Sequence, residues 1–181
     1  MNSTILLALG MSGGIILVLG AMWPAKKISN PRKSIKNWLF AAGALILFTY
    51  ALLNYIYGNG TLFFAILEIL AIVSSTLMLS DIGEKTSTKI VSILSLGLIG
   101  WSIFLAKEYL TALFILGLAI LSWGYILPSG TIKRNLALAI GSLFIAFFSY
   151  LGNAWVFFWL NIFFAIFSFY HVWNLNRNYK K

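Results

Sequence analysis

Seven long apolar stretches, none of which contains a lysine or an arginine, follow one another along this chain. An apolar run of about 18 residues is long enough to cross the roughly 30 Å hydrocarbon core of a bilayer as an α-helix. The sequence therefore predicts an all-α integral membrane protein with seven transmembrane helices. The fourth and sixth stretches are the shortest, so we expect them to stand nearly upright or to borrow flanking residues. The stretches cover about residues 4–23, 38–57, 61–80, 90–106, 109–127, 136–152 and 154–174.

Composition excludes a soluble globular protein. Hydrophobic residues make up 61% of the 181 residues and charged residues only 9%, whereas a soluble domain has about 25% charged residues. We expect the first stretch to be a true span rather than a cleaved signal peptide, because no basic residue precedes it and it is too long. The chain has no cysteine, so disulfides and thiolate metal sites are excluded.

The basic residues orient the chain. If all seven spans cross, only Lys107 falls on one side of the membrane, and the other lysines and arginines fall on the opposite side. Because basic loops stay in the cytoplasm, the N-terminus is predicted outside and the C-terminus inside. The net charge of +9 then reflects topology, and we expect no nucleic-acid partner. The residues on the inner side are Lys26, Lys27, Arg32, Lys33, Lys36, Lys85, Lys89, Lys133, Arg134, Arg177, Lys180 and Lys181.

Spans one to three and spans five to seven share features in the same order. The first span of each triplet ends near a proline. The second opens with an asparagine, meets a glycine six residues later and ends with a tyrosine and a glycine. The third carries one strongly polar residue. Two parallel three-helix repeats joined by an inverting fourth span account for this pattern, in a 3+1+3 arrangement. The matched pairs are Pro24 and Pro128, Asn37 and Asn135, Gly43 and Gly141, Tyr57 and Tyr150, and Glu68 and Asn161.

These boundaries make the chain a single membrane domain. The first repeat covers residues 4–80 and the second covers residues 108–174. Between them, residues 81–107 form a linker with the inverting helix, and residues 175–181 form a basic cytoplasmic tail.

At these residues the sequence resembles the SWEET, SemiSWEET and PQ-loop transporter superfamily, which includes vitamin transporters related to the nicotinamide riboside carriers. In that family the first repeat helix ends at a proline followed by an isoleucine and a Lys-Ser pair, as at Pro24, Ile28 and Lys33-Ser34 here. The second helix often ends in the motif W-x-x-Y-G, and here Tyr57-Gly58 is present but Asn54 takes the place of the tryptophan.

The resemblance has departures. The glutamine that follows the family's proline is replaced by Ala25 and Ser129, and the first-half asparagine position carries Glu68. The resemblance implies a small-solute transporter for sugars or vitamin-like nucleosides, working by alternating access around a midplane site between the repeats. It also implies that Pro24 and Pro128 are hinges, although a proline at a helix end also acts as a simple helix stop.

Glu68 and Asn161 are the main candidates for substrate binding. A carboxylate inside hydrocarbon costs about 2.5 kcal/mol or more, so Glu68 must face the bundle interior, find a partner or hold a proton. Asn161 offers amide donors and an acceptor suited to hydroxyl groups, and in the resembling family an asparagine of the third helix lines the substrate site. For both residues, a hydrogen bond between neighbouring helices is the alternative.

Asn54, Trp159 and Tyr150 complete the candidate substrate-binding set. Asn54 lies near the outer end of the second span, where water is an equally good partner. Aromatic rings such as those of Trp159 and Tyr150 stack on sugars and bases, but a membrane-interface belt is the common alternative.

Several classes are excluded by missing residues. The last span has no lysine for a retinal Schiff base, and four acidic residues with one histidine cannot build a metal cluster or a nucleophile with its base. We expect neither an enzyme nor a cofactor. The partners are then a small-molecule substrate and the lipid bilayer of a prokaryotic cell membrane, and a homo-oligomer is left open. The alternative is a non-transporting receptor or assembly factor of the same fold, like the KDEL receptor, acting through the basic loop 25–36.

Overall fold

The computed structural model describes residues 3–23, 31–80, 82–128 and 130–179, and within these ranges every regular element is helical. Seven α-helices follow one another, with one short 3₁₀ turn between the first two. Their bounds are α1 Ser3–Met22, the 3₁₀ turn Pro31–Lys33, α2 Ile35–Tyr57, α3 Leu62–Leu79, α4 Glu84–Leu105, α5 Thr111–Ile126, α6 Ile132–Leu151 and α7 Trp155–Tyr179.

Six of the helices are long and apolar enough to cross a bilayer, judged by length and composition. This makes the chain compatible with an integral membrane protein. The exception is α5, with 16 residues, which at about 1.5 Å per residue is roughly 24 Å long. It carries no charged residue, and uncharged residues continue on either side of it, at Tyr109 and Leu110 and at Leu127.

The fourth and sixth apolar stretches are the shortest in the sequence, and their helices extend into flanking residues, which is one of the two expected outcomes. With 22 and 20 residues, α4 and α6 are ordinary in length, and α5 is the shortest. Both helices begin in polar sequence, α4 at Glu84 and α6 just before Lys133 and Arg134. Helix ends depend on capping and backbone hydrogen bonds, which apolar run length does not report.

The chain divides into two compact units, Met1–Ser87 and Thr88–Lys181, and the boundary falls inside α4. Inside the first unit, α2 packs against both α1 and α3. Inside the second unit, α6 packs in the same way against both α5 and α7. Each unit therefore has a central helix with two partners.

Glycines bring α1 and α2 of the first unit close together. A Cβ atom on Gly13 would lie 3.1 Å from the backbone nitrogen of Leu47, and one on Gly43 would lie 2.9 Å from that of Leu17. Near one end of this contact, a Cβ on Gly20 would lie 3.3 Å from the backbone nitrogen of Phe40. Small residues at these positions let the two backbones approach, as in many membrane helix pairs.

The contact between α5 and α6 repeats this arrangement position by position. A Cβ on Gly117 would meet Ile145, one on Gly141 would meet Leu121 and one on Gly124 would meet Leu138, at closest distances of 2.8, 2.7 and 2.9 Å. Gly117, Leu121 and Gly124 have the same spacing along α5 as Gly13, Leu17 and Gly20 along α1. The same holds for Leu138, Gly141 and Ile145 on α6 against Phe40, Gly43 and Leu47 on α2.

In each unit, an aromatic side chain makes one further contact between the same two helices, α1 and α2 or α5 and α6. The contact has the same spacing along the helices in both units. In the first unit, a Cβ on Gly10 would lie 3.0 Å from the ring of Tyr50. In the second unit, the rings of Phe114 and Phe148 lie 5.4 Å apart. The four contact pairs of one unit thus each have a counterpart in the other.

Hydrogen bonds fix the beginning of the central helix in each unit. The hydroxyl of Ser34 accepts from the backbone N–H of Asn37, and that of Thr131 accepts from the N–H of Arg134. Such N-caps satisfy donors that the helix leaves unpaired. The Asn37 amide also donates to the carbonyl of Met78, at 2.8 Å, so the beginning of α2 and the end of α3 lie side by side.

Candidate functional site

Glu68 lies in the buried part of α3, at the seventh residue of a helix that begins at Leu62. Only 2% of its surface is exposed. Among the described residues, no hydrogen-bond partner reaches its Oε2 atom. A buried carboxyl group with an unused oxygen is costly to keep in a fold, so this residue stands out as a candidate for function.

Asn161 lies at the corresponding point of α7, the seventh residue of a helix that begins at Trp155. It is 6% exposed. Its Nδ2 atom donates to the carbonyl of Phe157, one turn earlier, at 2.8 Å. That bond uses one of the two amide hydrogens and orients the side chain, which leaves the second hydrogen and the Oδ1 atom for another partner.

A buried serine follows each of these residues on the same helix face. Ser75 comes seven residues after Glu68, and Ser168 comes seven residues after Asn161. Both serines are buried, and a separation of seven residues places side chains on one face, two turns apart. The third helix of each unit thus carries a strongly polar residue and a serine at the same two positions.

Four further buried hydroxyl groups were not anticipated from the sequence. The Oγ atoms of Ser74, Ser95, Ser122 and Ser142 have no hydrogen-bond partner within the described ranges. Most serines inside helices donate to a carbonyl of the preceding turn, as Ser149 does to Ile145 at 2.7 Å. Serine is common in apolar helices, so the sequence alone gives no signal that these hydroxyls are unused.

Asn54 closes the turn after α2. Its backbone carbonyl accepts from the N–H groups of both Gly58 and Gly60, at 3.0 and 3.1 Å. A Cβ on Gly60 would lie 2.6 Å from the Asn54 amide nitrogen, so the side chain lies against this turn as well. This position is typical of a structural residue at a helix end, and a substrate contact by Asn54 stays a prediction.

Tyr150 and Trp159 belong to a set of aromatic rings around the turn from α6 to α7. The Tyr150 ring lies 5.9 Å from Trp155 and 5.7 Å from Phe158, and Phe158 lies 5.0 Å from Trp159. Tyr150 is 50% exposed and Trp159 is 54% exposed. The structure therefore does not bury these two rings as it buries Asn161, and their role in substrate binding stays a prediction.

Pro128 lies two residues beyond the last residue of α5, Ile126. Leu127, the residue before it, is extended, which is the conformation that a following proline favours. The carbonyl of Pro128 accepts from the Thr131 hydroxyl at 2.9 Å. This is the position of a helix stop, and a hinge role stays a prediction. Pro24 lies outside the described residues.

Basic side chains lie at one end of the helices in each unit. In the first unit, Arg32, Lys33 and Lys36 surround the beginning of α2, the end that the bond from Asn37 to Met78 joins to the end of α3. In the second unit, Lys133 and Arg134 begin α6, and Arg177 lies in the last turn of α7. Since α6 and α7 are joined by a short turn, they run in opposite directions. The three basic residues, at the beginning of α6 and the end of α7, therefore lie at the same end of this helix pair.

No family model matches this chain, and neither a curated protein nor a solved structure matches it.

Proposed function

We propose that the chain is a small-solute transporter built from two three-helix repeats, with Glu68 and Asn161 as its main substrate contacts. The observation that supports this proposal is their equivalence. Each is the seventh residue of the third helix in its unit, and each is buried. Within the described residues, Glu68 Oε2 has no hydrogen-bond partner, and the Asn161 amide donates to Phe157 of its own helix. Buried polar residues inside membrane helices are costly and mark substrate or ion pathways.

The repeat proposal rests on the glycine contacts. Four contact pairs recur between the first two helices of each unit, with identical spacing along each helix. Chance alignment of apolar helices does not reproduce which residue meets which. In this proposal α4 is the inverting helix that joins parallel repeats, as in other transporters built from repeats.

The topology follows from the same repeats. We place the basic ends of both units in the cytoplasm, the N-terminus outside and the C-terminus inside, in the cytoplasmic membrane. This requires α5 to cross despite its 16 residues. The adjoining apolar residues, or local thinning of the bilayer, supply the missing length at a modest free-energy cost.

The chemistry of the polar atoms indicates the solute class. A protonated carboxyl group, a primary amide and several serine hydroxyls all donate and accept hydrogen bonds. Hydroxyl-rich neutral molecules, such as sugars and the ribose of vitamin nucleosides, have matching groups. These are also the substrates that the resemblance to the SWEET and PQ-loop superfamily implies.

The test is counterflow in proteoliposomes. Vesicles containing the purified chain are preloaded with one unlabelled compound from a panel of mono- and disaccharides and vitamin nucleosides, and entry of the same labelled compound is followed. We expect saturable entry of at least one compound, absent from protein-free vesicles. If a folded preparation exchanges no compound of the panel, the transporter proposal fails and a receptor or assembly factor acting through the loop 25–36 is favoured.

A further inference from the structure

We propose that Glu68 carries a proton during the transport cycle, so that solute movement through this chain is coupled to the proton gradient. The inference rests on the proposed transport function and adds a second, ionic substrate to it.

Glu68 lies deep inside α3, away from the ends of the helix. It is 2% exposed and lies about 9 Å along α3 from the first residue of that helix, at about 1.5 Å per residue. An ionised carboxylate in such surroundings costs several kcal/mol unless it is paired and hydrogen-bonded. The neutral, protonated form avoids that cost, and its O–H group becomes a hydrogen-bond donor.

Glu68 also lacks a paired cation in the part of the chain that the structure describes. Within the described residues, the elements that pack most extensively against α3 are α2 and the 3₁₀ turn. Within the described ranges, the basic groups on them lie at the far end of α3. Asn37, beside Lys36, bonds to the carbonyls of Pro31 and Met78, and Met78 is about 15 Å along the helix from Glu68. The titratable groups of these elements are Lys36, Tyr50, Tyr55 and Tyr57 on α2 and Arg32 and Lys33 in the turn.

The tyrosines do not supply a charge partner either. The ring of Tyr50 lies against Gly10 of α1, and Tyr55 and Tyr57 are exposed. Besides Glu68, α3 has no Asp, Glu, His, Lys, Arg or Tyr. Among the described residues of α2, α3 and the 3₁₀ turn, no cation is therefore placed to neutralise Glu68, and a proton can do so instead.

The two proposed repeats differ at the position of Glu68. The position equivalent to Glu68 carries Asn161, whose amide does not ionise. The equivalent pair of Glu68 and Asn161 thus contributes a single exchangeable proton, from Glu68. In the coupled step the carboxyl O–H bond breaks when water reaches the site, and the proton leaves to the side with the lower proton concentration. The carboxylate takes up a new proton from the other side, which returns it to the starting state.

A first experiment tests the proton site without any solute. Dicyclohexylcarbodiimide reacts with protonated carboxyl groups in apolar surroundings. The carboxyl proton moves to a nitrogen of the reagent, the acyl oxygen bonds to its central carbon, and the acyl group then shifts to nitrogen to give a stable adduct without a leaving group. We expect one adduct on Glu68 by peptide mass spectrometry, with a yield that falls as the pH rises.

Matched variants make the labelling decisive. Glu68→Gln must lose the adduct, whereas Glu84→Gln, which removes an exposed carboxyl group, must keep it. Failure of the folded wild-type protein to react at Glu68 at any pH would overturn the proposal. So would a yield that does not change with pH.

A second experiment tests coupling with the compound identified by counterflow. Acidic medium outside the vesicles should drive accumulation of that compound several-fold above equilibrium in the wild type. Glu68→Gln should lose the accumulation, whereas Glu84→Gln, which removes an exposed carboxyl group, should keep both the counterflow and the accumulation. If wild-type counterflow does not depend on the pH gradient, proton coupling is refuted and the transporter proposal is unaffected. Absence of all counterflow would remove both.

Discussion

Gly43 lies so close to Leu17 that a Cβ atom on the glycine would stand 2.9 Å from the leucine's backbone nitrogen. The equivalent contact in the second unit, between Gly141 and Leu121, is equally tight at 2.8 Å. Because backbone atoms cannot rotate away as a flexible side chain can, a methyl group at either glycine must push two helices apart.

Gly43→Ala and Gly141→Ala should each destabilise the protein by about 1–3 kcal/mol, the usual cost of overpacking a tight contact. Thermal unfolding in detergent, followed by gel filtration of the heated samples, measures the loss. Gly14→Ala and Gly97→Ala are the controls, because a Cβ at either position would meet no atom within 4 Å. They should be neutral or stabilising, since alanine favours the helix more than glycine does. Equal losses in all four variants would disprove the repeated glycine contact.

Asn37 should contribute more to stability than Asn135, its counterpart in the sequence repeat. The Asn37 amide bonds to carbonyls of the 3₁₀ turn and of α3, whereas the Asn135 amide bonds to Thr131, which caps its own helix. Asn37→Ala should therefore cost about 1–2 kcal/mol and increase hydrogen exchange at the end of α3. Asn135→Ala should cost clearly less, and the reverse order would show that the bond to Met78 does not hold α3 in place.

Introduced cysteines should report the two faces of the membrane directly, because the natural chain has none. In intact cells, an impermeant maleimide should label Lys107→Cys but not Lys85→Cys or Lys133→Cys until the membrane is opened. The pair Lys107 and Lys133 flanks α5, so this comparison tests whether the 16-residue helix crosses. Labelling of both residues from outside would mean that α5 does not span.

Replacing Glu68 with leucine should make the protein more stable while it abolishes solute exchange. A buried carboxyl group with an unpartnered oxygen costs free energy, and an apolar side chain of similar size removes that cost. We expect a gain of about 1 kcal/mol or more in thermal unfolding experiments, against no change for the exposed Glu84→Leu. Destabilisation by Glu68→Leu would instead indicate that the carboxyl group holds the helices together.

Much of the helical framework follows from the sequence, because long runs without charge have few alternatives to a buried helix. The apolar stretches 4–23 and 61–80, for example, match α1 and α3 to within a residue at each end. Helix ends that lie in polar sequence were harder to predict. α4 begins at Glu84 and α7 continues to Tyr179, because charged residues in an end turn do not stop a helix.

The proposed repeat was only partly readable from the sequence. Matching Asn37 and Gly43 with Asn135 and Gly141 agrees with the packing, but matching Tyr57 with Tyr150 does not. The contacts place Phe148 where Tyr50 lies in the first unit, and α6 ends at Leu151, before a residue equivalent to Tyr57. The second helix of the second unit, α6, is three residues shorter than α2, with 20 residues against 23.

The candidate site, too, could be predicted from the sequence only in part. Polarity within an apolar run singled out Glu68 and Asn161, and both are buried. The sequence could not show that Asn54 lies against its own turn, or that Trp159 is exposed while Asn161, two residues away, is not. Such differences depend on which face a helix presents to its neighbours, and a helix that is apolar on every side gives no periodic signal for that.

The measurement that tests the central claim most directly is the initial rate of counterflow for two asparagine variants of α7. Asn161→Ala removes a buried amide with unused polar atoms, and Asn176→Ala removes an exposed one from the same helix. If Asn161 binds the solute, its variant should lose roughly tenfold or more of the exchange rate, the effect of about 1.4 kcal/mol of lost binding, while Asn176→Ala keeps the wild-type rate. Full activity of a folded Asn161→Ala protein would contradict the assignment of this residue to the substrate site.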